Sequence, residues 1–204
     1  TGLRCDWSSD VCSSDLFRAV ALGSSGIVLY SLGDFERSAA QVKRGLALYG
    51  PEAQEEIAQL FGLDVAVLST AYGGRSQWIR GYPDQALEMV ERSVTLARER
   101  GRPFNLATAL STGAGYARLL RGEVSETRQC AMETIEISEA HYFPYLHARG
   151  LIELGWCHLQ EGDIQPGIER LEEGIAKSAP PARHPPLRRP RHRRRTRSAP
   201  PAAP

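Results

Sequence analysis

Between residues 17 and 177 one arrangement of apolar and polar positions recurs. An amphipathic run ends at a glycine, a short acidic or proline-containing turn follows, and a second amphipathic run begins. The turn glycines are Gly33, Gly81, Gly122 and Gly162, spaced by 48, 41 and 40 residues. A period of this size points to stacked helical hairpins rather than a single globule. Seven residues before each turn stand Gly26, Gly74, Gly115 and Gly155; five after it stand Ser38, Ala86, Thr127 and Gly167; twelve after it stand Gly45, Ser93, Thr134 and Gly174. Every one of these positions is small. Two antiparallel helices approach closely only where the side chains at their crossing are small. A glycine inside a helix costs about 1 kcal/mol relative to alanine, so glycines held in register imply a packing reason.

The pattern predicts an all-α, right-handed solenoid of about four antiparallel hairpins, with helices near 18–32 and 35–49, 64–80 and 83–99, 104–120 and 124–140, and 144–160 and 164–176. Pro103 and Pro144 suit the first turn of the third and fourth leading helices, and Pro83 and Pro166 the starts of trailing helices. Gly33-Asp34 and Gly162-Asp163 read as a stop followed by a cap. The longer first spacing holds PEAQEEIAQLF (51–61), which predicts an extra short helix outside the regular stack.

Composition changes the picture at the two ends. The 204-residue chain is 42% hydrophobic and 24% charged, ordinary for a soluble domain with a core, and carries no apolar run long enough to span a membrane. Its net charge of +1 divides into +8 over residues 178–204 and −7 over the rest. That tail has eight prolines, eight arginines and no acidic residue, and cannot offset its own ordering entropy. Lysine occurs only at Lys43 and Lys177, which suggests a GC-rich gene, and GC-rich codons read out of frame yield Pro, Arg and Ala. A frameshift is the favoured reading of residues 178–204; a basic tail that binds nucleic acid by counterion release is the alternative. At the other end, DWSSDVCSSDL (6–16) resembles the translation of a common sequencing adapter, and residues 1–16 are read as a foreign, disordered leader with the natural start further upstream. The spacing of Cys5 and Cys12 matches no usual zinc site.

LYSLGDFERSA and WIRGYPDQALEMVERSVTLA resemble the tetratricopeptide repeat, whose consensus places small residues at these helical sites and glycine in the turn. The longer series LGDFERS…GLALYGPE…FGLDVAVLS…WIRGYPDQALE…ARERGRPFNLATAL…LGWCHLQEGD is similar to the C-terminal repeats of bacterial multidomain signalling proteins with a central P-loop ATPase and often an N-terminal class III nucleotide cyclase. Related arrays follow ATPase modules in large transcriptional regulators. The resemblance implies a cytoplasmic regulatory scaffold that binds a protein or peptide, or upstream domains of its own parent chain. It implies ATPase or cyclase activity only elsewhere in such a parent.

No chemistry emerges from the residues themselves. There is no G-x-x-x-x-G-K-[ST], and Gly23-Ser24-Ser25-Gly26 falls within a predicted helix instead of a strand-to-helix loop. His141, His147, Cys157 and His158 lack metal-ligand spacing. Glu123, Glu126, Glu133 and Glu136 read as a solvated face, and Cys130 and Cys157 as small apolar helix residues. The expectation is no enzyme, no cofactor and no metal in this chain. What remains is a groove. In such arrays the residue after the small helix glycine faces the concave surface, which selects Ile27, Arg75, Tyr116 and Trp156; one turn on come Ser31, Ile79, Leu120 and Gln160. The competing reading is that Tyr116 and Trp156 fill space between hairpins.

Overall fold

The computed structural model describes residues 15–49 and 64–178. The Cys5/Cys12 pair, residues 6–14 of the adapter-like stretch, the helix expected over 51–61 and residues 179–204 lie outside the described residues. Among the described residues, eight helices form four antiparallel hairpins: α1 (Asp15–Ser31) with α2 (Phe35–Ala47), α3 (Val65–Ile79) with α4 (Pro83–Glu99), α5 (103–121) with α6 (Val124–His141), and α7 (Pro144–Glu161) with α8 (Ile164–Ser178). α1 takes in Asp15 and Leu16, the last two residues of the stretch read as a leader. Every other helix end falls within three residues of its predicted place.

The hairpin tips repeat one hydrogen-bond motif. At the last of them, Gly162 N–H donates to Leu159 O (3.2 Å) and Asp163 N–H to His158 O (2.9 Å); the same pair of bonds closes the tips at Gly33, Gly81 and Gly122. This closure needs a left-handed residue, and Gly162 has φ +90°. Asp34 caps α2 as predicted, accepting from Arg37 N–H at 3.1 Å, whereas Asp163 turns its carboxylate back toward His158 Nδ1 (3.4 Å). Between hairpins, Gly101 (φ +61°) and Tyr142 (φ +58°) fill equivalent left-handed positions, each two residues before the proline that opens the next leading helix.

At the waists, space is the constraint. A Cβ on Gly26 would lie 2.7 Å from Val42 Cγ2, one on Gly74 2.6 Å from Val90 Cγ1, and one on Gly155 2.9 Å from both Leu171 Cγ and the Gly167 carbonyl. The facing small residues also satisfy backbone: Ser38 Oγ donates to Gly26 O and Ser93 Oγ to Val67 O, both at 2.8 Å. Gly115 departs from its predicted place at the third crossing. The atom nearest a Cβ there is Glu153 Oε2, 2.6 Å away on α7.

The cause lies within α5. It runs as α-helix over Pro103–Thr108, as π-helix over Ala109–Gly115, and as α-helix again over Tyr116–Arg121. From Pro103 to Gly122 is nineteen residues, and from Pro144 to Gly162 eighteen. The π turn, with its wider i→i+5 winding, holds the extra residue and rotates Gly115 off the crossing. The one-residue difference between the second and third glycine spacings therefore sits inside a helix and not in a loop.

A buried lock ties the first three hairpins together. Asp64, wholly buried, caps α3 by accepting from Ala66 N–H (2.9 Å) and Val67 N–H (3.4 Å), and also accepts from Tyr49 O–H (2.9 Å). Arg100, after α4, pairs with its other oxygen. The Asp64 N–H donates to Asn105 Oδ1 on α5 at 3.2 Å.

Candidate functional site

The leading helices α1, α3, α5 and α7 lie side by side, and a polar row crosses them. Its centre is Arg75 on α3, half-buried. The guanidinium carbon stands 4.0 Å from the ring centroid of Tyr116 on α5, 4.9 Å from Tyr30 on α1 and 5.4 Å from Tyr72 on α3. Tyr30 and Tyr72 meet edge to face at 5.2 Å. The face of an aromatic ring is electronegative, so three tyrosines around one guanidinium favour the cation. Burial raises the Tyr30 hydroxyl above its ordinary pKa, opposed by the charge of Arg75.

The row continues onto α7. Arg149 Nη2 donates to Ser111 O (3.0 Å), a carbonyl within the π turn, and lies 3.5 Å from Glu153 Oε1. Glu153 is 4% exposed. Its carboxyl is pushed up to about 8 by desolvation, with Arg149 and Arg75 pulling it down less strongly. Among the described residues, Glu153 Oε2, Arg75 Nε and Arg149 Nε find no hydrogen-bond partner. At neutral pH a carboxyl with this pKa is mostly protonated, which leaves the row with the two positive charges of Arg75 and Arg149.

The positions picked out in the sequence distribute as follows. Ile27, Arg75, Tyr116 and Trp156 are all half-buried; one turn further on, Ser31, Ile79, Leu120 and Gln160 are all exposed. Arg75 and Tyr116 are brought into contact, so Tyr116 both packs between hairpins and belongs to the row. Ile27 and Trp156 hold the equivalent places at its two ends. Sequence reasoning missed four members. Tyr30, Tyr72 and Arg149 were not singled out by any local pattern. Glu153 did carry a signal, as a lone carboxylate amid the apolar residues Leu151, Ile152 and Leu154.

Among the described residues, His141, His147 and His158 do not gather. His141 stacks on Phe143 (5.8 Å) and His147 meets Glu139 (3.1 Å) at the base of the fourth hairpin. His158 lies near its tip with Glu161 and Asp163, their ligand-type atoms within 4.8 Å of one another, and Glu161 also pairs with Arg128. Burial pushes the thiols of Cys130 and Cys157 up to about 11, which holds both as inert thiols. No helix among the described residues is long and apolar enough to cross a membrane.

No known sequence family matches the chain, and no curated protein matches it in sequence. In structure it is similar to the nearly identical TPR-like repeats of a kinesin light chain from Podosopora anserina, seen in a crystal structure of a single-substitution variant. The TM-score is 0.54 at 15% sequence identity, over 76% of this chain and 72% of that one. The fold is therefore an all-α stack of tetratricopeptide-like hairpins.

Proposed function

On this tetratricopeptide-like scaffold, we propose that the row along the leading helices is the partner-binding surface, with Arg75, Tyr116, Ile79 and Leu120 at its centre. The carrying observation is the Arg75 guanidinium gathered by tyrosines from three hairpins, with apolar side chains exposed one turn away. Arginine and tyrosine in this setting are the side chains that anchor interfaces. The partner is a protein or peptide segment offering a carboxylate to Arg75 and apolar side chains to Ile79 and Leu120. Ile27, Trp156 and Gln160 extend the surface to either side.

The test is a photo-crosslinking residue placed at Leu120 or, as a control, at Met132, which is exposed on the trailing helix α6. A partner captured from Leu120 and not from Met132, and lost with Arg75→Ala, supports the proposal. Equal capture from both faces overturns it.

The sequence resemblance supports a finer reading in which the repeats regulate an ATPase or nucleotide cyclase upstream in a longer parent chain. Binding on the row would bias the effector through rearrangement of the hairpins. Unchanged cyclase or ATPase activity after deletion of the repeats from that parent would count against it. The eight arginines of residues 178–204 favour one alternative, a regulator that holds nucleic acid through this tail. Salt-sensitive DNA binding that disappears with removal of the tail would be its signature.

A further inference from the structure

Between the second and third hairpins, in the middle of the stack, a cavity of about 380 Å³ opens among α4, α5 and α6. It shares no residue with the row along the leading helices. Its floor is apolar, made by Val94 of α4, Leu110 and Ala114 of α5, and Cys130 of α6. Leu110 and Ala114 both belong to the π turn, which shifts the packing register of this junction. At the first junction Val42 meets Gly73, eight residues before the tip glycine; here its counterpart Val90 meets Gly113, nine before it. Such turns are frequent at functional sites.

Four charged side chains line the same cavity, in two ion pairs. Arg98 of α4 meets Glu133 of α6 at 2.7 Å, and Arg118 of α5 meets Glu91 of α4 at 3.0 Å. The second pair is peculiar to this junction. The places of Glu91 and Arg118 hold Lys43 and Gln77 at the first junction, and Met132 and His158 at the third. Arg118 is the most buried of the four, and its charge also reaches the Cys130 thiol on the floor. Its Nε–H is buried and, among the described residues, has no acceptor. A buried donor without an acceptor is costly, so the cavity favours an occupant that brings one.

The charges constrain that occupant. Two arginines and two glutamates sum to zero, so a lone carboxylate or a lone ammonium would leave an uncompensated charge in a half-buried space. A zwitterion would not. The volume sits near the lower end of the range of about 300–1,000 Å³ usual for small-molecule sites. We propose that this cavity binds a free α-amino acid with a medium-sized apolar side chain. Its carboxylate accepts from Arg118 Nε–H, its ammonium donates to Glu91 or Glu133, and its side chain lies on Val94, Leu110 and Ala114.

The test is isothermal titration of the full chain with L-leucine, which should bind with a Kd below about 1 mM. Isocaproate and isopentylamine carry leucine's two charges one at a time, and each should bind about tenfold more weakly or worse. Arg118→Gln removes the charge that receives the carboxylate and should weaken leucine about tenfold or more. Thr95→Trp fills the cavity from an exposed position on its wall, leaves the core intact, and should cause a similar loss. Absence of leucine binding to the wild type would mean that water alone fills the cavity, and overturns the proposal. So does either half-molecule binding as tightly as leucine, or unchanged leucine affinity in either variant.

Discussion

Asp64 and Glu153 are both buried carboxylates facing arginines, and the protein treats them in opposite ways. Asp64 sits where three hairpins meet and has every oxygen occupied, by two backbone N–H groups, the Tyr49 hydroxyl and Arg100. Glu153 sits under the row of leading helices with one distant contact to Arg149 and one oxygen without a partner. A buried charge is tolerated when its hydrogen bonds are complete and is costly when they are not. The first site therefore serves assembly. The second holds its proton into the neutral range and keeps two arginines short of a full counter-charge, as the proposed partner-binding row requires.

Removal of the satisfied carboxylate should have the largest effect. Asp64→Ala leaves the half-buried Arg100 without its carboxylate and Ala66, Val67 and Tyr49 without their acceptor, and is expected to cost about 3–5 kcal/mol in urea unfolding. Adding Arg100→Met should recover part of that loss, since a buried pair replaced by apolar groups is often neutral. If Asp64→Ala costs less than about 1 kcal/mol, the contrast between the two sites fails.

Next comes the space made for Glu153. Gly115→Ala sets a methyl 2.6 Å from Oε2 and should cost about 2 kcal/mol. In a Glu153→Ala background the same change should cost less, because the carboxylate is gone and only the Leu110 carbonyl, 3.0 Å away, still crowds the methyl. A double-mutant cycle measures this coupling.

The pH dependence follows from the sign of the shift. Glu153 is raised from 4.5 to about 8 on folding, so the folded state holds a proton that the unfolded state has released. Its contribution is fully present below about pH 4.5 and is lost as pH rises toward 8, at no more than about 1.4 kcal/mol per unit. Glu153→Gln should flatten this part of the curve, leaving the variant relatively more stable at pH 8 than at pH 5. Parallel curves for the two proteins would show that Glu153 is ionised throughout.

The smallest expected effect lies at the hairpin tips, which neither carboxylate touches. Nothing lies within 4 Å of a Cβ at Gly162, where only backbone conformation opposes a side chain. Gly162→Ala should cost about 1 kcal/mol and Gly162→Asn less, with the thermal midpoint as readout.

The contrast also marks what could be read in the sequence. Helix ends, tip glycines and opening prolines were legible because each is fixed by residues a few places apart. The waists at Gly26, Gly74 and Gly155 were legible through register. Gly115 was misplaced because an alignment of glycines assumes uniform winding; the 41-against-40 spacing carried the extra residue, but not its location within α5. The Asp64–Arg100 pair bridges 36 residues and the Tyr30–Arg75–Tyr116 group spans three hairpins, and no local pattern announces contacts of that range. For the candidate site, register alone selected Arg75 and Tyr116, which the structure brings into contact; Glu153 was legible only as a lone carboxylate among apolar residues, and Tyr30, Tyr72 and Arg149 were not singled out.

The stacking of hairpins in sequence order has a mechanical consequence. A chain whose segments touch only their neighbours behaves under tension as springs in series, each able to yield by itself. Among the described residues, the second hairpin, clasped from both sides and pinned by Asp64, should hold longest. A forty-residue hairpin drawn straight reaches about 130–145 Å, so a tether pulled at both ends should lengthen in discrete steps approaching that size. A stack of this kind can transmit position and report load, separately from whatever it binds.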